Sequence, residues 1–130
     1  EFRRVLFRSG WPLATWGINY SGFKIPEAKG EIVAGTEQPV FYWKDSPAVS
    51  GMAFYNSDKF PQWQQKLFIG ALKDKDVIVM SVNGDKVTED GRILTDRGQR
   101  IRDVRTGPDG YLYVLTDESS GELLKVSPRN

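Results

Sequence analysis

The chain has 130 residues and a mass of 14.7 kDa, the size of one domain with room for a sizeable core. Its 18 Lys and Arg stand against 17 Asp and Glu, a formal net charge of +1 that implies no phosphate-tracking surface, so nucleic acid is not an expected partner. Histidine and cysteine are both absent, which excludes Cys/His zinc sites, disulfides, thiol nucleophiles and any Ser/His/Asp triad built from this chain alone.

Any general base here must be a carboxylate, a lysine or a tyrosine. The lack of cysteine fits an exported protein without bridges and a cytosolic one equally well. The longest purely apolar run, Val77 to Met80, is too short to span a membrane. With 13 Gly, 7 Pro and 12% aromatic residues, the composition suits a turn-rich β protein better than a helical bundle.

In chain order, Glu1 to Ser9 (EFRRVLFRS) reads as a translated cloning or sequencing adapter and is set aside from fold reasoning, leaving residues 10–130 as the domain. The stretch has no signal-peptide pattern, which says nothing about export if the leader is foreign. Trp11 to Gly35 is rich in Gly, Pro and aromatics without a sustained period, and is expected to be a long, partly ordered loop.

Beyond it, short β-branched and aromatic runs recur: Val40 to Trp43, Gly51 to Tyr55, Leu67 to Leu72, Val77 to Val82, Arg92 to Leu94, Ile101 to Arg105, Tyr111 to Thr116 and Leu123 to Val126. Asn83-Gly84-Asp85, Glu89-Asp90-Gly91, Pro108-Asp109-Gly110 and Ser119-Ser120-Gly121 read as the tight turns between them. PQWQQK from Pro61 offers at most one helical turn. The chain is expected to run as an antiparallel meander.

LFIGAL (Leu67 to Leu72) lies on LYVLTD (Leu112 to Asp117) at an offset of 45 residues, and at that offset Ile78 and Val79 fall on Leu123 and Leu124. A period of about 40 to 50 residues with four short strands is the signature of a β-propeller blade. The first blade would use Gly51 to Tyr55, Leu67 to Leu72, Val77 to Val82 and Lys86 to Leu94. The second would use Arg102 to Thr106, Tyr111 to Thr116 and Leu123 to Val126, and lacks a fourth strand. Two blades do not close a ring, so this reading implies a fragment. The same pattern equally describes a small sandwich or barrel of about seven strands.

Three places carry candidate chemistry. In GQRIRDVR, Arg100 and Arg102 are two residues apart on an extended chain, so their guanidinium groups project from one face and call for an anion. Ile101 points the other way, and Asp103 can hold a backbone group or an arginine. The plain alternative is surface pairing of the two arginines with Asp96 or Asp103. Lys73, just past a strand end, would add a third positive charge, unless it belongs to a solvated turn with Asp74, Lys75 and Asp76. Trp43 offers a flat face for stacking a planar ring and Ser46 a hydroxyl for orienting it, the alternative for Trp43 being ordinary packing. Asp58, Asp85, Glu89 and Asp90 read as solvent-facing turn carboxylates, and no EF-hand calcium loop is present.

Read together, GWPLATWGINYSG, EQPVFYW, SGMAFYNSDKFPQW, LFIGALK, RILTDRGQRIRDVRTGPDGYLYVLTD and GELLKVSP resemble, in order, the carboxy-terminal part of the glucose/sorbosone dehydrogenase family. These are soluble aldose sugar dehydrogenases dependent on pyrroloquinoline quinone (PQQ), and the resemblance covers nearly all of the chain after Ser9. It implies a partial six-bladed β-propeller, all-β, with about two antiparallel blades after a long loop. It further implies that the family's cofactor-binding lysine falls on Lys73, its paired arginines on Arg100 and Arg102, and its aromatic beside the cofactor on Trp43. A Lys and two forked Arg groups would answer the three carboxylates and ortho-quinone of PQQ.

The chain departs from the family's Trp-x-Pro-Ser-Ile-Ala-Pro-Ser-Gly continuation, having Lys44-Asp45-Ser46-Pro47-Ala48-Val49-Ser50-Gly51 instead. The family's catalytic histidine and calcium ligands belong to earlier blades absent from this chain. The expected parent is therefore a periplasmic or secreted enzyme that oxidises an aldose to its lactone with PQQ and calcium and passes electrons to an acceptor. This chain would supply part of the cofactor wall, dock on the remaining blades and be inactive alone. The competing readings are a propeller scaffold that has lost the cofactor, and a cropped module that persists as a small β fold.

Overall fold

The computed structural model describes residues 10, 11, 13–18 and 21–128; the adapter-like leader lies outside them. The chain divides into two compact units, Glu1–Ser46 and Pro47–Asn130.

Among its described residues the first unit has no helix or extended strand. One parallel bridge joins Ala14 to Gly30, where Thr15 N donates to Gly30 O (3.1 Å) and Lys29 N to Leu13 O (2.8 Å). The expected strand at Val40 to Trp43 does not form. No ladder partner reaches it among the described residues, and its rings pack on other rings instead: Tyr42 stacks on Trp16 at 4.3 Å, and Phe41 meets Trp43 edge-on at 4.9 Å.

The second unit is all β apart from one 3-10 turn, Pro61–Trp63. Strands β1 (Val49–Phe54), β2 (Leu67–Ala71), β3 (Val77–Asn83) and β4 (Lys86–Ile93) form one antiparallel sheet in that order. Strands β5 (Ile101–Thr106), β6 (Leu112–Thr116) and β7 (Leu123–Val126) form a second. The sheets match the expected blades, four strands then three, and the 45-residue offset lays β2 on β6 and β3 on β7.

Asn83 pairs with Lys86 across a two-residue turn, where Gly84 takes φ +60°, a conformation that disfavours any side chain. Glu89-Asp90-Gly91 is not a turn as the sequence indicated. Val79 pairs with Gly91 and Met80 with Glu89, so Asp90 is an extra residue bulged within β4. There its carboxylate accepts from the Lys66 ammonium and the Ser81 hydroxyl, so the Glu/Asp-rich stretch is tied to the sheet.

β5 contains another bulge. Ile101 pairs with Thr116 and Asp103 with Leu115, leaving Arg102 as the added residue. Ile101 and Val104 are three apart, a spacing that in a regular strand puts them on opposite faces. The added residue returns both to the core, where they are fully buried.

The two sheets approach closely, and β1 and β5 run side by side in the same direction. Ser50 Oγ donates to Ile101 O at 2.7 Å, and Thr106 Oγ1 contacts Phe54 O at 3.5 Å. Glycine makes this approach possible: a Cβ on Gly51 would lie 2.7 Å from Asp103 Cα, and one on Gly70 would lie 2.8 Å from Ile101 Cγ2. Between the sheets, Phe68 and Val79 of the first join Ile101, Val104, Leu112 and Val114 of the second in one core.

Tyr55, fully buried, ties the sheets together by its hydroxyl. The hydroxyl donates to Gly110 O in the β5–β6 turn (2.7 Å) and accepts from Phe60 N (3.1 Å). Tyr55→Phe keeps the ring but orphans both partners, so unfolding by urea is expected to show a loss of about 1 to 3 kcal/mol. An unchanged midpoint would mean that water replaces the hydroxyl at no cost.

Candidate functional site

Arg100 ends the loop before β5, and its backbone is fixed twice. Asp117 N donates to Arg100 O at 2.7 Å, extending the β5–β6 ladder by one pair, and Arg100 N donates to the Glu118 carboxylate at 2.9 Å. The next residue, Ile101, is sunk in the core, and Arg102 after it stands on the bulge. As the alternation implies, the two guanidinium groups emerge on one side.

They meet on a single carboxylate. Arg100 donates from Nε and Nη2 to Asp117 Oδ2 (3.1 and 3.0 Å), and Arg102 donates from Nε to Oδ1 (3.2 Å) and from Nη2 to Oδ2 (2.9 Å). These bonds use the Nε and Nη2 groups of each fork, and none of them uses Nη1. Both side chains are about half exposed, at 44% and 50%. Bonds from Arg102 first and Arg100 second hold the Asp117 carboxyl below the usual value of 3.8.

The sequence alternative of pairing with Asp96 or Asp103 is therefore corrected. Asp103 instead accepts from Val104 N and from Arg105 Nε. Sequence reading missed Asp117 and Glu118, although a signal was available. Folding the chain about the Pro108-Asp109-Gly110 turn brings residue 117 opposite residue 100.

Lys73 follows β2. Its backbone N donates to Pro47 O (3.0 Å) and Leu72 N to Ala48 O (2.9 Å), placing this segment beside the start of β1. Ser50 near that start bonds to Ile101, and Gly70 near the end of β2 abuts Ile101. Lys73 therefore sits at the same end of the paired sheets as Arg100 and Arg102.

The loop after Lys73 is not simply solvated, as the sequence had allowed. Asp76 is buried, and Arg92 of β4 donates from Nη1 to Asp76 Oδ2 (3.1 Å) and Asp74 Oδ2 (2.7 Å) and from Nε to Glu89 (2.7 Å). Burial raises the Asp76 carboxyl, against the lowering effect of Arg92. Hydrogen bonding to Glu89 leads the effects that raise the Arg92 guanidinium above its ordinary value. Arg92 thus staples the loop that leaves Lys73.

Trp43 belongs to the first unit, where it is half-buried in the wall of a cavity of about 620 Å³. Trp11, Trp16 and Tyr42 supply further rings and Glu31, Glu37 and Gln38 polar groups. Trp16 Nε1 approaches Gln38 Oε1 at 3.4 Å. Ser46 is exposed at the end of this unit. The aromatic wall around Trp43 exceeds what its own segment indicated, because Trp11 and Trp16 come from the looped region.

The Glucose / Sorbosone dehydrogenase family profile matches residues 8–125. The chain belongs to the glucose/sorbosone dehydrogenase family. It is 99% identical to the soluble aldose sugar dehydrogenase of Escherichia coli, solved in its apo form, covering 93% of this chain and 35% of that one with a TM-score of 0.89. A solved glucose dehydrogenase is 63% identical over the same 93% of this chain and 35% of its own, again with a TM-score of 0.89. An uncharacterized protein of Synechocystis sp. is 36% identical over 117 residues, 90% of this chain and 28% of that protein. The chain thus spans about a third of the length of these relatives, and its two sheets are successive blades of a partial β-propeller.

The Asp117 cluster makes a titration prediction. A folded-state value below the unfolded one means that the pairing stabilises the fold above about pH 3.8, a contribution lost as pH falls through the lowered value. Carboxyl NMR titration should place the Asp117 midpoint below 3.8 and show it rising in Arg102→Ala, and less so in Arg100→Ala. A midpoint indifferent to both substitutions would mean that the pairs do not persist in solution.

Proposed function

We propose that this chain is part of a PQQ-dependent aldose sugar dehydrogenase, in which Lys73, Arg100 and Arg102 of the second unit hold the cofactor, with Trp43 of the first unit assigned to it by the family resemblance alone. The observation that carries the reading is the convergence of two arginine forks on one strand face, at the sheet end where Lys73 leaves β2. Membership of a family that includes aldose and glucose dehydrogenases supports it.

The donor set suits the group. A tricarboxylated ortho-quinone needs several cations held rigidly apart, and forked guanidiniums bind carboxylates with two parallel bonds. Each arginine keeps an edge beyond the one that grips Asp117. Bound there, PQQ supplies a two-electron acceptor for the hydride leaving C1 of an aldose, giving the lactone. The arginines and Lys73 bind and orient its anionic groups, and their positive charge favours the electron-rich form. Trp43 offers a ring face for packing.

The family resemblance makes a histidine the acceptor of the sugar hydroxyl proton, and since this chain has none, that base lies outside it. The calcium ligands and the route to an electron acceptor likewise belong to the remaining blades, and the isolated chain is inactive. The whole enzyme works in the periplasm or outside the cell.

A second reading has a specific observation in its favour. Both guanidiniums already face a carboxylate, as they would in a propeller scaffold without a cofactor. Measuring PQQ binding to the full-length protein separates the two. Arg100→Ala and Arg102→Ala should each weaken binding by about 1.5 to 3 kcal/mol. Full-length protein with PQQ and calcium should reduce a dye in the presence of an aldose. Unaltered cofactor affinity in both variants, or no dye reduction with any aldose, would favour the scaffold.

A further inference from the structure

The two arginines are set at angles dictated by something other than their own strand. A half-exposed arginine has many rotamers, and two adjacent guanidiniums repel unless a shared anion holds them. That anion is built into the chain. Asp117 receives four hydrogen bonds from the two forks, all through Nε and Nη2. Its own backbone is locked to Arg100 through Asp117 N and Arg100 O, and the next residue, Glu118, accepts from Arg100 N. Carboxylate and arginines therefore belong to one hydrogen-bonded frame.

Resting on the cofactor reading above, we infer that Asp117 is a positioning residue for the anion site: it grips the inner edge of both arginines and turns their Nη1 edges toward the carboxylates of PQQ. Asp117 does not itself touch the bound molecule. The alternative roles predict different signs. A carboxylate that only screened charge, or only held the place until the cofactor arrived, would oppose an incoming anion, and its removal would tighten binding. A carboxylate that sets geometry does the opposite, because its loss frees the forks even as the site gains one positive charge.

The test uses the full-length protein and equilibrium binding of PQQ, followed by fluorescence. Asp117→Asn keeps the shape and removes the charge; it is expected to weaken binding about tenfold or more, the loss of one charge-assisted hydrogen bond. Asp117→Glu, which restores a carboxylate, should recover a large part of that loss, which a general structural defect would not. Tighter or unchanged binding by a folded Asp117→Asn protein overturns the proposal.

A second measurement needs no variant. The Arg100 and Arg102 Nε–H resonances of the wild-type protein should keep their Asp117-bonded shifts when PQQ is added. Loss of those shifts on binding would make Asp117 a displaced placeholder and also overturn the proposal. If the wild-type protein binds no PQQ, the functional reading fails instead; if it binds and these signs are wrong, only the role of Asp117 fails.

Discussion

The arrangement of the second unit depends on how closely β1 and β2 approach β5. A protein interior tolerates little overlap, so strands from neighbouring sheets come this near only where one side has no side chain. Gly51 and Gly70 supply those gaps, and Asp103 and Ile101 occupy them. The Ser50 hydroxyl then spans to the Ile101 carbonyl. This approach lines up the start of β5 with the start of β1 and the end of β2, and so gathers the cationic residues at one end of the paired sheets. The site follows from backbone proximity before any charge is considered.

Charge then acts at two depths. Near the loop after β2, Asp76 is buried and is kept company by Arg92, a pair for which breaking one side would leave an uncompensated group in the interior. At the start of β5 the pairs are half exposed, where solvent and salt weaken them. The deeper network holds the scaffold under Lys73. The shallower one remains open to solvent.

Much of the second unit was legible because its strands obey simple patterning. Leu67 to Ala71, Val77 to Asn83 and Leu123 to Val126 are short β-branched or apolar runs between turn residues, and the Gly84 and Gly110 turns fall where the sequence puts them. Bulges were less legible. Asp90 is an added residue inside a strand whose Glu-Asp-Gly stretch reads locally as a turn, and Arg102 is one that alternation alone cannot reveal. Val40 to Trp43 misled because an aromatic run serves ring packing in a loop as well as it serves a strand. The placement of Arg100 and Arg102 on one side was readable from spacing, whereas their partner, distant in sequence, becomes readable only when the chain is folded about the Pro108-Asp109-Gly110 turn.

The Tyr55 hydroxyl has a bearing on how such blades are exchanged between relatives. It serves the loop at Phe60 and the turn at Gly110 at once, so segments 50 residues apart share one atom. A chimera joined between them inherits a mismatch unless the donor carries an equivalent phenol and a turn carbonyl at the same height. Recombination is therefore safest with junctions outside this span, and the two blades travel best as a single cassette.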